Sequence, residues 1–155
     1  MSVYDRFEKA FNSLMTHIET KDFQGILRIE NLYQDLGSIS NIEMYYYPKT
    51  DLILNLSDEC KKELVFILTD LDKLHFVNRE KNWYFANLYS MIFITIYNSI
   101  KNENRQLILD YVLRNRKNER IPFAKDLDLN INSYDKFNEL PLKKFKGYQD
   151  KWSER

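Results

Sequence analysis

Apolar residues recur at three- and four-residue steps from the start of the chain. Val3, Phe7, Phe11, Leu14, Met15 and Ile18 predict an amphipathic helix from Ser2 to about Thr20, with Asp5 and Glu8 near its positive pole. Ile26, Leu27, Ile29, Leu32 and Tyr33 predict a second helix from Lys21 or Asp22 to Asp35, closed by Leu36 and a Gly37 C-cap. Over residues 38–56 the pattern changes. Ile42 to Tyr47 is rich in strand-favouring rings, Pro48 to Asp51 reads as a turn, and Leu52 to Leu56 alternates weakly, so a small β-hairpin around residues 42–56 is expected.

The helical period then returns. Ser57 followed by Asp58 and Glu59 is a helix start, and a stripe of Leu64, Ile67, Leu68, Leu71 and Leu74 carries it to about His75. From Asn82 to Ile100 no charged residue occurs, and apolar side chains surround the helix on nearly all sides. Such a run of nineteen residues is close to membrane-spanning length. Asn87, Ser90, Thr95 and Asn98 interrupt it, however, and a central buried helix is the expectation. A last helix follows Asn102 with Leu107, Ile108, Tyr111, Val112 and Leu113, and runs into a basic stretch, Arg114 to Arg120. The sum is a mainly α, single-domain bundle over residues 1–155, of about five to six helices. Residues 123–155 are expected to be an irregular C-terminal segment packed on it or extending from it, with one short helical candidate at Tyr134–Leu140.

Composition removes whole classes of chemistry. Only Gly25, Gly37 and Gly147 occur in 155 residues, and no two are clustered. Phosphate-cradling loops need close glycines so that backbone N–H groups can approach a phosphate, so Walker and Rossmann sites are excluded. Twenty-three aromatic residues, eleven Tyr and ten Phe among them, promise a ring-rich core, each buried large side chain contributing roughly 1.5–3 kcal/mol. Cys60 has no partner for an internal disulfide, and the first residues do not read as a secretory signal; a cytoplasmic location is expected. The zero net charge hides an asymmetry: residues 1–78 carry eight basic and thirteen acidic side chains, and residues 79–155 carry fifteen and ten.

No catalytic motif survives inspection. His17 and His75 lack zinc-like spacing, and no cofactor or metal is expected. Asp72 precedes His75 by one helical turn and is the one candidate acid–base pair, but a helix-end histidine near the negative pole is the simpler assignment. Cys60 stands among Asp58, Glu59 and Glu63, which oppose a thiolate.

Two surface features remain. The first joins Tyr45, Tyr46, Tyr47 and Lys49 to the acidic residues Asp58, Glu59, Glu63, Asp70 and Asp72. Tyrosine is enriched at protein-binding hot spots, and carboxylates around it suit a basic partner. The second is Arg114, Arg116, Lys117 and Arg120, with Lys143, Lys144 and Lys146 in a tail that also carries Phe145, Tyr148 and Trp152. Cations interleaved with stackable rings suit single-stranded nucleic acid. The leading expectation is a non-catalytic protein binder with the general profile of small bacterial immunity or antitoxin proteins, occluding the active site of a basic toxin. The alternative is a helical nucleic-acid-binding accessory protein, of phage type, that uses the basic C-terminal half.

Overall fold

The computed structural model describes residues 2–75 and 83–115, and these are helical with short connections. Helix α1 spans Val3–Glu19. Its start is a reciprocal capping box: Asp5 N–H donates to Ser2 Oγ at 3.1 Å while Ser2 N–H donates to Asp5 Oδ2 at 3.4 Å. Phe7, Ala10, Phe11, Leu14, Met15 and Ile18 form its buried stripe.

The next stretch is not one helix. It breaks into α2 (Phe23–Ile26) and α3 (Leu32–Leu36). Asp22 caps α2 by accepting from Gly25 N–H at 3.2 Å, and a Cβ on Gly25 would lie 2.3 Å from the Asp22 carboxylate. After α2 the chain tightens into three-residue hydrogen-bonded turns, and Asn31 adopts a left-handed conformation (φ 59°) that asparagine tolerates. This kink lets Ile26, Leu32, Tyr33 and Leu36 all reach the core.

Residues 42–56 correct the hairpin expectation. They form α4 (Glu43–Tyr46), a 3₁₀ turn (Tyr47–Lys49) and α5 (Thr50–Leu54). Pro48, with its fixed φ, sits at the start of the 3₁₀ turn, where its missing N–H costs nothing. The buried residues Ile42, Tyr46, Ile53 and Leu56 fall at steps of four, seven and three, the helical period. Burial on that period outweighs the strand preference of the individual rings.

Helix α6 (Asp58–Leu74) starts as expected, with Ser57 Oγ accepting from Cys60 N–H at 3.2 Å. Its stripe ends one turn early, because Leu74 is 67% exposed. Helix α7 (Trp83–Ser99) returns antiparallel to α6, since Ser99 meets Lys61 and Tyr89 meets Thr69. Helix α8 (Asn102–Asn115) runs parallel to α6: Asn104 meets Asp58 at one end and Asn115 meets Lys73 at the other. α7 is the central helix, packed against α3, α5 and α6, with residues 87–97 all buried.

Several polar groups inside this core pair across helices and fix register. Tyr46 Oη lies 2.5 Å from Thr95 Oγ1, and Thr95 Oγ1 donates to the Met91 carbonyl at 2.9 Å. Tyr89 pairs with Thr69 in the same way across α6 and α7. Burial holds both phenols above their usual range of ionisation. At the carboxyl end of α7, Lys61 Nζ donates to the Ser99 carbonyl at 3.5 Å and Arg105 to the Asn98 carbonyl at 3.4 Å. The two cations thus complement the negative pole of the central helix. Among the described residues, no helix is long and apolar enough to cross a membrane.

Candidate protein-binding surface

Two of the expected contact residues are interior. Tyr46 is 0% exposed and Asp72 is 1% exposed, so neither meets a partner in this fold. The reason is shared: each lies on the core-facing side of its helix and makes a hydrogen bond to another helix. Tyr46 binds Thr95, and Asp72 Oδ1 accepts from Tyr33 Oη at 3.2 Å. Tyr33 also stacks on the His75 imidazole at 5.0 Å and packs on Phe85 at 4.3 Å. The acid–base pair suggested by Asp72 and His75 is therefore built into a packing cluster around the Tyr33 ring.

Of the remaining acidic residues, Asp58 and Asp70 join α6 to α8. Asp58 Oδ2 accepts from Lys101 N–H at 3.1 Å and from Asn104 Nδ2 at 3.4 Å, which fixes the start of α8. Glu59 is exposed and pairs with Lys62 at 2.8 Å; Glu63 is exposed one turn further on. Asp70 accepts from Tyr111 Oη at 2.5 Å, and the Tyr111 ring packs on Phe66 at 4.4 Å. Desolvation first, then the hydrogen bond to Asp70 and its charge, push the Tyr111 phenol up to about 12. Arg114 is exposed and lies over the same ring at 5.8 Å. The acidic helix and the first residue of the basic stretch thus meet at Tyr111 rather than facing apart. Arg116, Lys117, Arg120, Lys143, Lys144 and Lys146 lie outside the described residues, as does the segment 123–155.

Tyr45 belongs to a different face. Its ring meets Phe7 edge-on at 4.9 Å and Phe11 at 6.0 Å, and its hydroxyl donates to Glu8 Oε1 at 3.3 Å. The ring is half-buried, and desolvation followed by the Glu8 charge raises its phenol. Met44, next to it in the chain, is 68% exposed, and Tyr4, one turn before Glu8 on α1, is 53% exposed. Tyr47 is half-buried beside Tyr46, and Lys49 is exposed. The sequence pattern marked Tyr45 but missed Tyr4, Glu8 and Met44 as its companions. The spacing signal was present for two of them, since Tyr4 and Glu8 stand four apart on one side of α1. The contact of α4 with α1 is long-range and has no local signature.

Among the described residues, no group of three or more His, Cys, Asp or Glu side chains could hold a metal ion. His17 is tied to its own helix, with Nδ1 at 2.7 Å from the Ser13 carbonyl and Nε2 at 3.8 Å from Asp22. No family model, no curated protein and no solved structure matches this chain.

Proposed function

We propose that this protein acts by stoichiometric binding of a second protein, in the manner of a small bacterial immunity or antitoxin protein that covers the active site of a basic toxin. The observation that carries the proposal is the α1–α4 face. Exposed Tyr4 and Met44 flank a half-buried Tyr45 whose hydroxyl rests on Glu8. Aromatic residues and methionine are enriched in interface cores, and carboxylates at the edge select a cationic partner.

The test is affinity capture from host lysate, with and without nuclease, followed by a stoichiometry measurement on the purified pair. One protein retained at equal molar amount after nuclease, with its own activity inhibited on binding, is the expected result. Arg114, exposed over the Tyr111 ring, favours nucleic acid as the second reading. Capture that collapses on nuclease treatment, or salt-dependent RNA or DNA binding lost on Arg114→Glu, replaces the first reading with the second.

A further inference from the structure

Among the described residues, three carboxylate–tyrosine bonds join separate helices: Tyr33 to Asp72, Tyr111 to Asp70, and Tyr45 to Glu8. They are not equivalent. The first is buried, with Tyr33 and Asp72 both inside. The second is short, at 2.5 Å, and lies among cations: Arg114 stands over the Tyr111 ring, and Lys73 reaches Asn115, whose own Nδ2 donates to the Tyr111 carbonyl. The third is long, at 3.3 Å, and lies at the surface.

Charge separates the second bond from the third. On α1 the basic residues Arg6 and Lys9 are the nearest cations in sequence to Glu8. At 3.6 residues per turn, Arg6 is rotated roughly 160° from Glu8 and Lys9 roughly 100°. Asp5, by contrast, is rotated only about 60° from Glu8, and its carboxylate is exposed at the head of the helix. Around the helix axis Glu8 is thus closer to Asp5 than to Arg6 or Lys9, and its carboxylate receives the Tyr45 hydroxyl. Tyr4 stands one turn before Glu8 on the same side of α1, and Met44 precedes Tyr45 on α4, both largely exposed.

We infer that the α1–α4 face, centred on Glu8 and Tyr45 with Tyr4 and Met44 as its apolar flank, is the docking surface for a protein segment that presents an Arg or Lys beside an apolar side chain. This deepens the binding function proposed above and rests on it. On docking, the partner's cation takes Glu8 from the Tyr45 hydroxyl, exchanging a long neutral-donor bond for a charge-assisted one. The apolar side chain covers Met44 and the Tyr4 ring. On the α6–α8 face Asp70 is already held by Tyr111 and the exposed Glu59 pairs with Lys62, which leaves the exposed Glu63 as the comparison for Glu8.

Site-specific photocrosslinking in the host tests the surface separately from the binding function. Benzoylphenylalanine replaces Met44 in one full-length variant and Leu107, exposed on α8, in a second. The expected result is a stoichiometric adduct from position 44 and none from position 107, with the crosslinked partner peptide carrying Arg or Lys. Glu8→Lys then lowers retention of that partner by about tenfold or more, through like-charge repulsion. Tyr45→Phe keeps the ring packing, removes the competing hydroxyl and leaves retention undiminished. Helical circular dichroism confirms that each variant folds. A partner captured through position 107 and not 44, or retained unchanged by Glu8→Lys, overturns the surface assignment while leaving the binding function in place. Capture of no protein overturns both.

Discussion

The α6–α8 seam and the α1–α4 face use the same pair of groups, a phenol and a carboxylate, to opposite ends. At the seam Tyr111 and Asp70 are 2.5 Å apart, Phe66 backs the ring, and Asp58 and Lys73 tether the two parallel helices at either end. At the α1–α4 face Tyr45 reaches Glu8 at 3.3 Å, and its neighbours Tyr4 and Met44 stay exposed. One pairing closes a gap between helices, and the other borders uncovered apolar surface. Residue type alone does not mark a binding surface; what matters is whether the fold has already engaged the group.

The sharpest way to break this contrast is to remove the support beneath the α1–α4 face. Phe7 is wholly buried and holds both Phe11 and Tyr45. Phe7→Ala is expected to cost roughly 3–5 kcal/mol in urea unfolding. A loss near 1 kcal/mol would place Tyr45 on some other support.

Alkaline titration separates the interior phenols from those at the rim. Tyr46 and Tyr89 are raised by burial, and Tyr111 is raised to about 12. Their folded forms resist ionisation more than the unfolded chain does. The corresponding stability is therefore full below the ordinary tyrosine range near pH 10 and falls as pH rises from there, through about 12 for Tyr111 and further for the more strongly raised Tyr46 and Tyr89. Absorbance at 295 nm followed beside circular dichroism should show Tyr46 and Tyr89 ionising only as the fold collapses. Ionisation of every tyrosine near pH 10 with the helices intact would contradict the burial of these hydroxyls.

Tyr111→Phe is the next smaller step. It removes a hydrogen bond to a charged group at the seam, and a loss of about 1–2 kcal/mol is expected from chemical denaturation. Tyr45→Phe, at a longer and more exposed bond, is expected to cost less than about 0.5 kcal/mol. If the two losses were equal, the distinction between an engaged and an available carboxylate would fail.

The elements that repeat an apolar stripe over several turns were legible in the sequence. Val3 to Ile18 forms α1 with the Ser2 cap, Ser57 opens α6, and the uncharged run after Asn82 is the buried α7. The hairpin expectation failed because Tyr45, Tyr46 and Tyr47 favour strands by local preference, while Ile42, Tyr46, Ile53 and Leu56 are buried on a helical period interrupted by Pro48. The single helix expected before Gly37 failed because the left-handed turn at Asn31 depends on where Tyr33 and Leu36 find the core. Of the residues expected at the surface, Tyr45 is half-buried, whereas Tyr46 and Asp72 are interior. Alternation on a strand exposes neighbours that a helix buries, and a carboxylate on an otherwise acidic helix gives no sign of a tyrosine hydroxyl 39 residues away.

The most direct test is a titration calorimetry comparison of Glu8→Lys with Glu63→Lys against the captured partner. Both residues are exposed carboxylates on amphipathic helices, so general charge effects cancel. The expected outcome is about tenfold or greater weakening for Glu8→Lys and less than about twofold change for Glu63→Lys. The reverse order would move the binding surface to α6 and contradict the account of the α1–α4 face.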